Sequence, residues 1–395
     1  MKIVIAPDSF KESLSAMDVA AQIEAGFRSV YPDADYVSIP MADGGEGTVE
    51  AMVAATRGHS VAADVSGPLG DPVRACFGLL PDGGAAVIEM AAASGLELLE
   101  PGRRDPLLTS TRGTGELILA ALDHGRRHII LGLGGSATND GGAGMLQALG
   151  ATLSDSAGHP IGAGGGALAQ LARIDLSTLD PRLADCRFDV ACDVDNPLLG
   201  PLGAAAVFGP QKGADPGSIE RLEANLAHYA DLIECQLGID VRRIPGGGAA
   251  GGMGAALVAM LGASLRPGIE IVTEAVGLDA AIRDADLVVT GEGRIDSQSV
   301  HGKTPIGVAR VAKRHGVPVI GIAGSLSSDV SVVHQHGIDA VFSVLFRVCL
   351  LEEALAEAAG NIYLTARNIA AVHKIGAWAN ASNSLQIGAE SCRGR

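Results

Sequence analysis

No C-x-x-C pair occurs among the six cysteines, Cys76, Cys186, Cys192, Cys235, Cys349 and Cys392. A zinc ribbon or a disulfide scaffold is therefore not expected, and the thiols read as reduced and mostly buried. No apolar run reaches the roughly 20 residues that span a bilayer; "AALVAMLGASL" is well short of it. The opening "MKIVIAPDSF" has neither the long apolar region nor the small-residue cleavage site of a signal peptide, so a cytoplasmic location is the expectation. Positive charge is scarce: the formal net charge is −16, a mean field that disfavours nucleic acid and anionic membrane as partners. Lysine is the scarcest cation, with six residues (Lys2, Lys11, Lys212, Lys303, Lys313, Lys374) among 29 basic ones. No G-x-S-x-G elbow marks a hydrolase.

What is present is a chain of 395 residues, 47% hydrophobic, long enough for a substantial core and two domains. "KIVIAPD" and "DYVSIPM" read as strands, "SAMDVAAQIEAGFRSV" as a helix behind a Ser cap, and "GEGTVEAMVAATRG" as a helix closed by Gly58. The same grammar returns late in the chain. "DLVVTGEG", "VPVIGIAG" and "IDAVFSVLF" are strands, "TPIGVARVAKRHG" is a helix with Pro in its first turn, and a long helix spans about 350–374. Apolar strands alternating with helices indicate a doubly wound parallel sheet.

Between these, two strand-like runs ("GPLGDPVRACFGLL", "GGAAVIEMA") lead into long Gly-rich loops. The expected fold is α/β: a Rossmann-like domain over 1–66 and 265–374, interrupted by a second α/β domain over 67–264. The polar tail, 375–395, has no periodicity and is expected to be disordered.

Gly302-Lys303-Thr304 in "VVTGEGRIDSQSVHGKTPIGVA" ends like a Walker A loop, but the position five before Gly302 is Ser297 rather than Gly. The wide turn that wraps phosphates is therefore not encoded there. Lys11, Lys212 and Lys303 nevertheless all fall in loop-like segments, where a compact point charge suits a phosphate, the alternative being simple surface exposure.

In "HIILGLGGSATNDGGAGM", Gly132, Gly134 and Ala137 imitate the dinucleotide fingerprint, with Asp155 near the distance of a ribose acid. Turn residues Asn139 to Gly142 delay any helix to about Ala143, which disfavours that reading. The loop Gly134, Gly135, Ser136, Thr138, Asn139 instead offers amides and hydroxyls to an anion, unless its glycines are purely structural.

"RFDVACDVDNPLLG" carries Asp189 and Asp193, four apart and so on one face of an extended strand. Such a pair can hold Mg²⁺ or take a hydroxyl proton; one of them capping a turn is the structural alternative. Three further strand-end loops bear acids with a hydroxyl or a base: Asp8, Ser9 and Lys11; Asp43 and Glu46; Glu292, Arg294 and Asp296. If the sheet is parallel these converge on one crevice. His334-x-His336 could bind metal only on an exposed strand, and His301 beside Lys303 reads either as a phosphate contact or as a solvated loop histidine.

The segments "APDSFKESLSA", "PMADGGEGT", "GLGGSATNDGGAGM", "CDVDNPLLGPLGAAAVFGPQKGA" and "TGEGRIDSQSVHGKTPIGVA", in this order, closely resemble the bacterial glycerate kinase type-1 family over about 1–373. The resemblance implies ATP-dependent, Mg²⁺-assisted phosphorylation of D-glycerate, with 2-phosphoglycerate the expected product. It also implies a restriction-enzyme-like second domain and an active site in the interdomain cleft.

On positions that match these motifs, the physical proposals are as follows. The Gly134–Asn139 loop binds phosphates, with Lys212 and Lys303 neutralising their charge, and Arg294 clamps the substrate carboxylate. Asp193, or else Asp189, accepts the proton or ligates Mg²⁺, while Lys11 and Asp8 close the crevice. Ser9, Asp43, Glu46 and Asp296 complete the substrate-binding set. A kinase of another small hydroxy acid, a non-catalytic binder of an anionic metabolite and a nicotinamide oxidoreductase are the competing readings, and a homodimer is left open.

Overall fold

In the computed structural model the chain forms two compact units, the first from Met1–Met41 with Val276–Arg395 and the second from Ala42–Ala275. The structure describes residues 1–300 and 302–391, with backbone alone for 377–391. The first unit opens with β1 (Lys2–Ile5), α1 (Ala16–Arg28) and β2 (Asp35–Ser38). The second contains α2 (Thr48–Thr56), β3 (His59–Ser66), β4 (Pro72–Leu79), β5 (Ala86–Glu89), α3 (Ala91–Ser94), α4 (Arg112–Asp123), β6 (His128–Gly132) and α5 (Ala143–Ala148). It continues with β7 (Thr152–Ser154), β8 (Arg173–Asp175), β9 (Arg187–Ala191), α6 (Ala204–Phe208), α7 (Pro216–Leu237), α8 (Ala249–Leu261), β10 (Ser264–Arg266) and α9 (Gly268–Ala275). The first unit resumes with α10 (Leu278–Ile282), β11 (Leu287–Ile295), α11 (Thr304–Arg314), β12 (Val319–Leu326), β13 (Ala340–Ser343), α12 (Leu351–Ala356) and α13 (Ala358–Ser391).

The first unit is a five-stranded sheet of order β13-β12-β11-β1-β2, parallel at every pairing. The chain steps outward one way from β1 to β2 and the other way from β11 to β13. The order therefore reverses between β1 and β11, the place where open α/β sheets leave a crevice at their strand ends. Helix α1 starts where Ser15 accepts from the Asp18 amide at 3.1 Å and buries Val19, Ala20, Ile23 and Phe27, the spacing of one helical face. That face packs in the same cluster as Ile362, Ala366, Ile369 and Ala370 of α13, each fully buried Val, Ile or Phe side chain among them contributing about 1.5–3 kcal/mol. Gly26 marks the close approach: a Cβ there would lie 2.6 Å from the Tyr363 carbonyl oxygen.

The second unit is a six-stranded mixed sheet of order β10-β9-β6-β5-β4-β3 beside a small β7–β8 hairpin. Strands β5, β6, β9 and β10 run parallel, and β3 and β4 add an antiparallel edge. Its core gathers Phe77, Ile88, Leu117, Leu131, Phe188, Leu226, Tyr229 and Leu257 among others.

The units meet the sequence expectation of an interrupted parallel-sheet domain, with different boundaries. Residues 42–66 and 265–275 belong to the inserted unit, because β3 pairs with β4 along its full eight residues and β10 pairs with β9. Other differences are local. Helix α2 ends on the left-handed Arg57 rather than on Gly58. The long helix expected over about 350–374 is divided at Glu357. Helix α13 carries the backbone of 375–391 onward as helix, against the expectation of an aperiodic tail, and residues 392–395 lie outside the described residues, as does His301. His334 and His336 lie in a 3-10 turn, not a strand, and His334 Nδ1 is 2.8 Å from the Ile338 carbonyl oxygen. Among the described residues, no helix is long and apolar enough to cross a membrane.

Candidate active site

In the second unit, the loops that leave β6 and β9 at their carboxyl ends enclose a cavity of about 200 Å³. Its walls bring together five residues singled out in the sequence, Asp43, Gly134, Gly135, Ser136 and Asp193. In the β6 loop, the Leu133 amide donates to the Ala191 carbonyl and the Ala137 amide to the Ser94 carbonyl. Among the described residues, no acceptor pairs with the amides of Gly134, Gly135 and Ser136 between them. Three consecutive backbone donors thus border the cavity, an arrangement suited to an anion. The helix that follows begins at Ala143, too late for a dinucleotide fingerprint.

Asp193 stands beyond the end of β9, at the first turn of α9, where the Gly268 amide donates to Oδ1 at 2.9 Å. Partial burial, helped by the negative charge of Asp43, pushes its carboxyl up to about 6 against that one hydrogen bond. The open face of the side chain lets water screen part of the penalty. A carboxylate held near neutrality in a cavity is a candidate base. The backbone is fitted closely around it: a Cβ on Gly268 would fall 1.8 Å from the Asp43 carbonyl oxygen, and one on Gly44 would fall 2.6 Å from Ala191 Cβ.

Beneath the Gly134–Asn139 loop, Asp140 is fully buried. It accepts from the Thr111 amide at 2.8 Å, the Thr111 hydroxyl at 2.9 Å, and the amides of Gly142 at 3.1 Å and Gly144 at 3.2 Å. Burial raises its carboxyl, and these four donors work against the rise. Glu89, at the end of β5, accepts from the Val49 amide at 2.8 Å and so supplies the N-terminal cap that α2 lacks from its own Gly47. Its carboxyl is raised by burial. Neither acid was singled out from the sequence. The available signals were an Asp immediately before a Gly-Gly helix start and an acid ending a buried strand.

In the first unit the β1 and β11 strand ends also carry a polar cluster. Asp8 follows β1, its amide donating to the Gly291 carbonyl at 2.8 Å, and its Oδ2 accepts from the Thr304 hydroxyl at 2.5 Å. Ser9 donates through its amide to Asp8 Oδ1 at 2.7 Å. Glu292, near the end of β11, accepts from the Ser299 hydroxyl at 2.5 Å and faces Lys303 Nζ at 3.7 Å. Lys303 is the N-cap residue of α11, with Pro305 in the first turn, so its cation and the amides of a helix start share one location. Arg294 is exposed and pairs with Asp296 at 3.1 Å; Lys11 is exposed in the turn after β1. The sheet reversal at β1 and β11 thus coincides with the residues that the sequence proposed there.

Four placements differ from the sequence reading. Asp189 does not share a face of the cavity with Asp193: β9 ends at Ala191, so strand alternation does not extend to position 193. Asp189 is instead buried against His128 Nε2 at 2.8 Å and Arg187 at 2.7 Å. Lys212 is not an open cation, being 1% exposed with Nζ donating to the Thr138 carbonyl at 2.6 Å. Thr138 and Asn139 are 0% exposed, below the cavity wall rather than in it. Glu46 is exposed and is not among the residues that line the cavity.

Comparison with known proteins agrees with this fold. The model of the glycerate kinase family matches residues 3–374. The glycerate 2-kinase of Escherichia coli K12 is 64% identical over 376 residues, covering 95% of this chain and 99% of its own. The glycerate kinase of Bacillus subtilis 168 is 60% identical over 375 residues, with 95% and 98% covered. A crystal structure from Salmonella typhimurium LT2 superposes with a TM-score of 0.87 at 62% identity, covering 95% of this chain and 99% of that one. The chain belongs to the glycerate kinase family.

Proposed function

We propose that this protein transfers the terminal phosphoryl group of ATP to D-glycerate in the cytoplasm, the acceptor being the 2-hydroxyl and the products 2-phosphoglycerate and ADP. Family membership supports the reaction, and the name of the Escherichia coli relative supports the position. The observation that carries the chemistry is Asp193, a carboxylate of raised basicity in the wall of a cavity bordered by three amides that have no acceptor among the described residues.

Phosphoryl transfer needs positioning and charge stabilisation more than covalent participation. Asp193 accepts the proton of the attacking hydroxyl as the oxygen–phosphorus bond forms and the bond to the leaving ADP breaks. The amides of Gly134, Gly135 and Ser136 hold phosphate oxygens. In the first unit, Lys303 and the α11 start offset phosphate charge, with Glu292, Ser299, Asp8 and Thr304 fixing that cluster, and Arg294 supplies a guanidinium for the carboxylate of glycerate.

Asp43 and Asp193 form an acidic pair in the cavity wall, the charge of one raising the carboxyl of the other. Among the described residues no group of three acids, His or Cys could hold a metal, so Asp43 would hold a divalent cation together with the phosphate oxygens, leaving Asp193 free as the base. When bound, Mg²⁺ supplies charge neutralisation to the phosphate oxygens. Asp189, occupied by His128 and Arg187, is not part of that pair.

The test is ADP release from ATP with D-glycerate, followed by phosphorus NMR of the product. Glycerate-dependent ADP with phosphate on C2 supports the reading. Ligand-dependent melting without ADP release replaces it with a binding protein, and turnover with a different hydroxy acid replaces the substrate.

A further inference from the structure

Lys212 is one of the largest fully buried side chains in the molecule. It closes the short 3-10 turn Pro210–Lys212. The neighbouring Gln211 lines the cavity, while Lys212 does not. It is also pinned from behind. The next residue, Gly213, has φ of 93°, and a Cβ there would fall 2.3 Å from the Arg104 carbonyl oxygen, so the turn that carries Lys212 is packed closely against Arg104. Inside, among the described residues, Nζ has one hydrogen-bond acceptor, the Thr138 carbonyl at 2.6 Å, and the charge of Asp140 acts on it. Around that carbonyl the loop is poorly self-supported. Among the described residues, the Thr138 hydroxyl and both amide atoms of Asn139 are buried without a hydrogen-bond partner. A buried amine donating to a backbone carbonyl, beneath three amides that border a cavity, acts on the shape of the loop, not on its contents.

We infer that Lys212 is a positioning residue. Its amino group, below the cavity, ties the Thr138 carbonyl, and together with the Asp140 knot, whose charge acts on it, it holds the Gly134–Asn139 backbone in the form that presents its amides, making no contact with what the cavity binds. The kinetic part of this rests on the glycerate kinase reading; the structural part does not.

The experiment uses the full chain. In the free wild-type protein, the amides of Ala137 and Gly141, which bond to Ser94 and Gly251, are expected to be protected from hydrogen exchange before any ligand is added. Free exchange until ATP or glycerate binds overturns the inference. Acylation with an amine reagent, read by mass spectrometry, is expected to leave Lys212 unmodified with and without ATP while the exposed Lys11 reacts. Modification of Lys212 that ATP suppresses overturns the inference in favour of direct phosphate contact.

In Lys212→Met, exchange at Ala137 and Gly141 is expected to rise about tenfold, the size of losing one such bond. The KM for D-glycerate should rise by about the same factor with a smaller change in kcat. Unchanged exchange and unchanged KM overturn the role. Lys212→Arg keeps a donor and is expected to recover part of the protection; an Arg variant as fast as Met overturns the tie to Thr138. A variant that fails to fold leaves the two wild-type measurements decisive. Because exchange and acylation need no turnover, absence of glycerate-dependent ADP release in the wild type would count against the enzymatic reading alone.

Discussion

Replacing Asp193 with Asn tests the centre of the proposed chemistry. The substitution keeps the shape, and an Oδ1 remains to accept from Gly268, now at 2.9 Å from the carboxylate. What is lost is basicity. With a carboxyl near 6, about nine-tenths of the wild-type protein carries the free base at pH 7. That base is also stronger than an ordinary aspartate, whose carboxyl titrates near 3.9. A positioned base contributes about 10²–10⁴ in rate, or roughly 3–5 kcal/mol of transition-state stabilisation, and a loss of that size is expected in kcat for Asp193→Asn.

The assay is initial ADP release between pH 5 and 9. Wild-type kcat/KM should fall on an acid limb centred near 6, and that limb should vanish in the variant. Stability should not follow activity. An acid whose folded value is raised stabilises the fold fully below its unfolded value, and that contribution is lost as pH rises through about 6. The neutral Asn is spared that loss, so the variant should melt no lower than wild type at pH 8. A variant within tenfold of wild-type kcat, or one that retains the acid limb, refutes the assignment of Asp193 as base.

Lys303→Ala should lower kcat by orders of magnitude with little change in melting temperature, because its ion pair with the buried Glu292 is loose at 3.7 Å and Glu292 keeps the Ser299 hydroxyl as a donor; near-normal turnover removes Lys303 from the mechanism. Asp189→Asn should lower stability by about 1–3 kcal/mol in denaturant melts, from a buried partner lost to His128 and Arg187. It should leave the Mg²⁺ dependence of the rate unchanged; a shifted dependence would return Asp189 to the metal site. Gly268→Ala forces a methyl to 1.8 Å from the Asp43 carbonyl, and overpacking of this kind costs about 1–3 kcal/mol or more. Loss of glycerate binding together with a lowered melting temperature is expected, and wild-type behaviour in both would show that the Asp43 loop yields freely.

The parallel sheet and its polar strand ends were readable in the sequence because short apolar runs closed by Asp8, Glu292 and Arg294 are local signals, as is the Pro that follows Thr304 in the first turn of α11. The delayed helix at Ala143 was legible for the same reason: adjacent turn residues forbid an earlier start. What stayed hidden depends on tertiary contacts. That Lys212 points inward is visible only through its contact with the Thr138 carbonyl, 74 positions away along the chain. The one-face argument for Asp189 and Asp193 failed because period-two alternation holds only inside a strand, and β9 stops between them. Strand β3 escaped notice because an edge strand with one solvated face has a thin apolar signal, and with it went the true limits of the inserted unit. Asp140 and Glu89 hold loops from below, work for which sequence offers only the identity of an acid.

The interruption of the first unit has a consequence for the nascent chain. Ile3 finds its partner at Leu287, so β1, α1 and β2 emerge from the ribosome long before the strand that completes their sheet. At roughly 5–20 residues per second, about a quarter of a minute to a minute separates the two. The inserted unit, Ala42–Ala275, has its whole sequence in hand before β11 is translated. The first forty residues must meanwhile wait with an open strand edge, the interval in which a chaperone or a wrong partner has its opportunity.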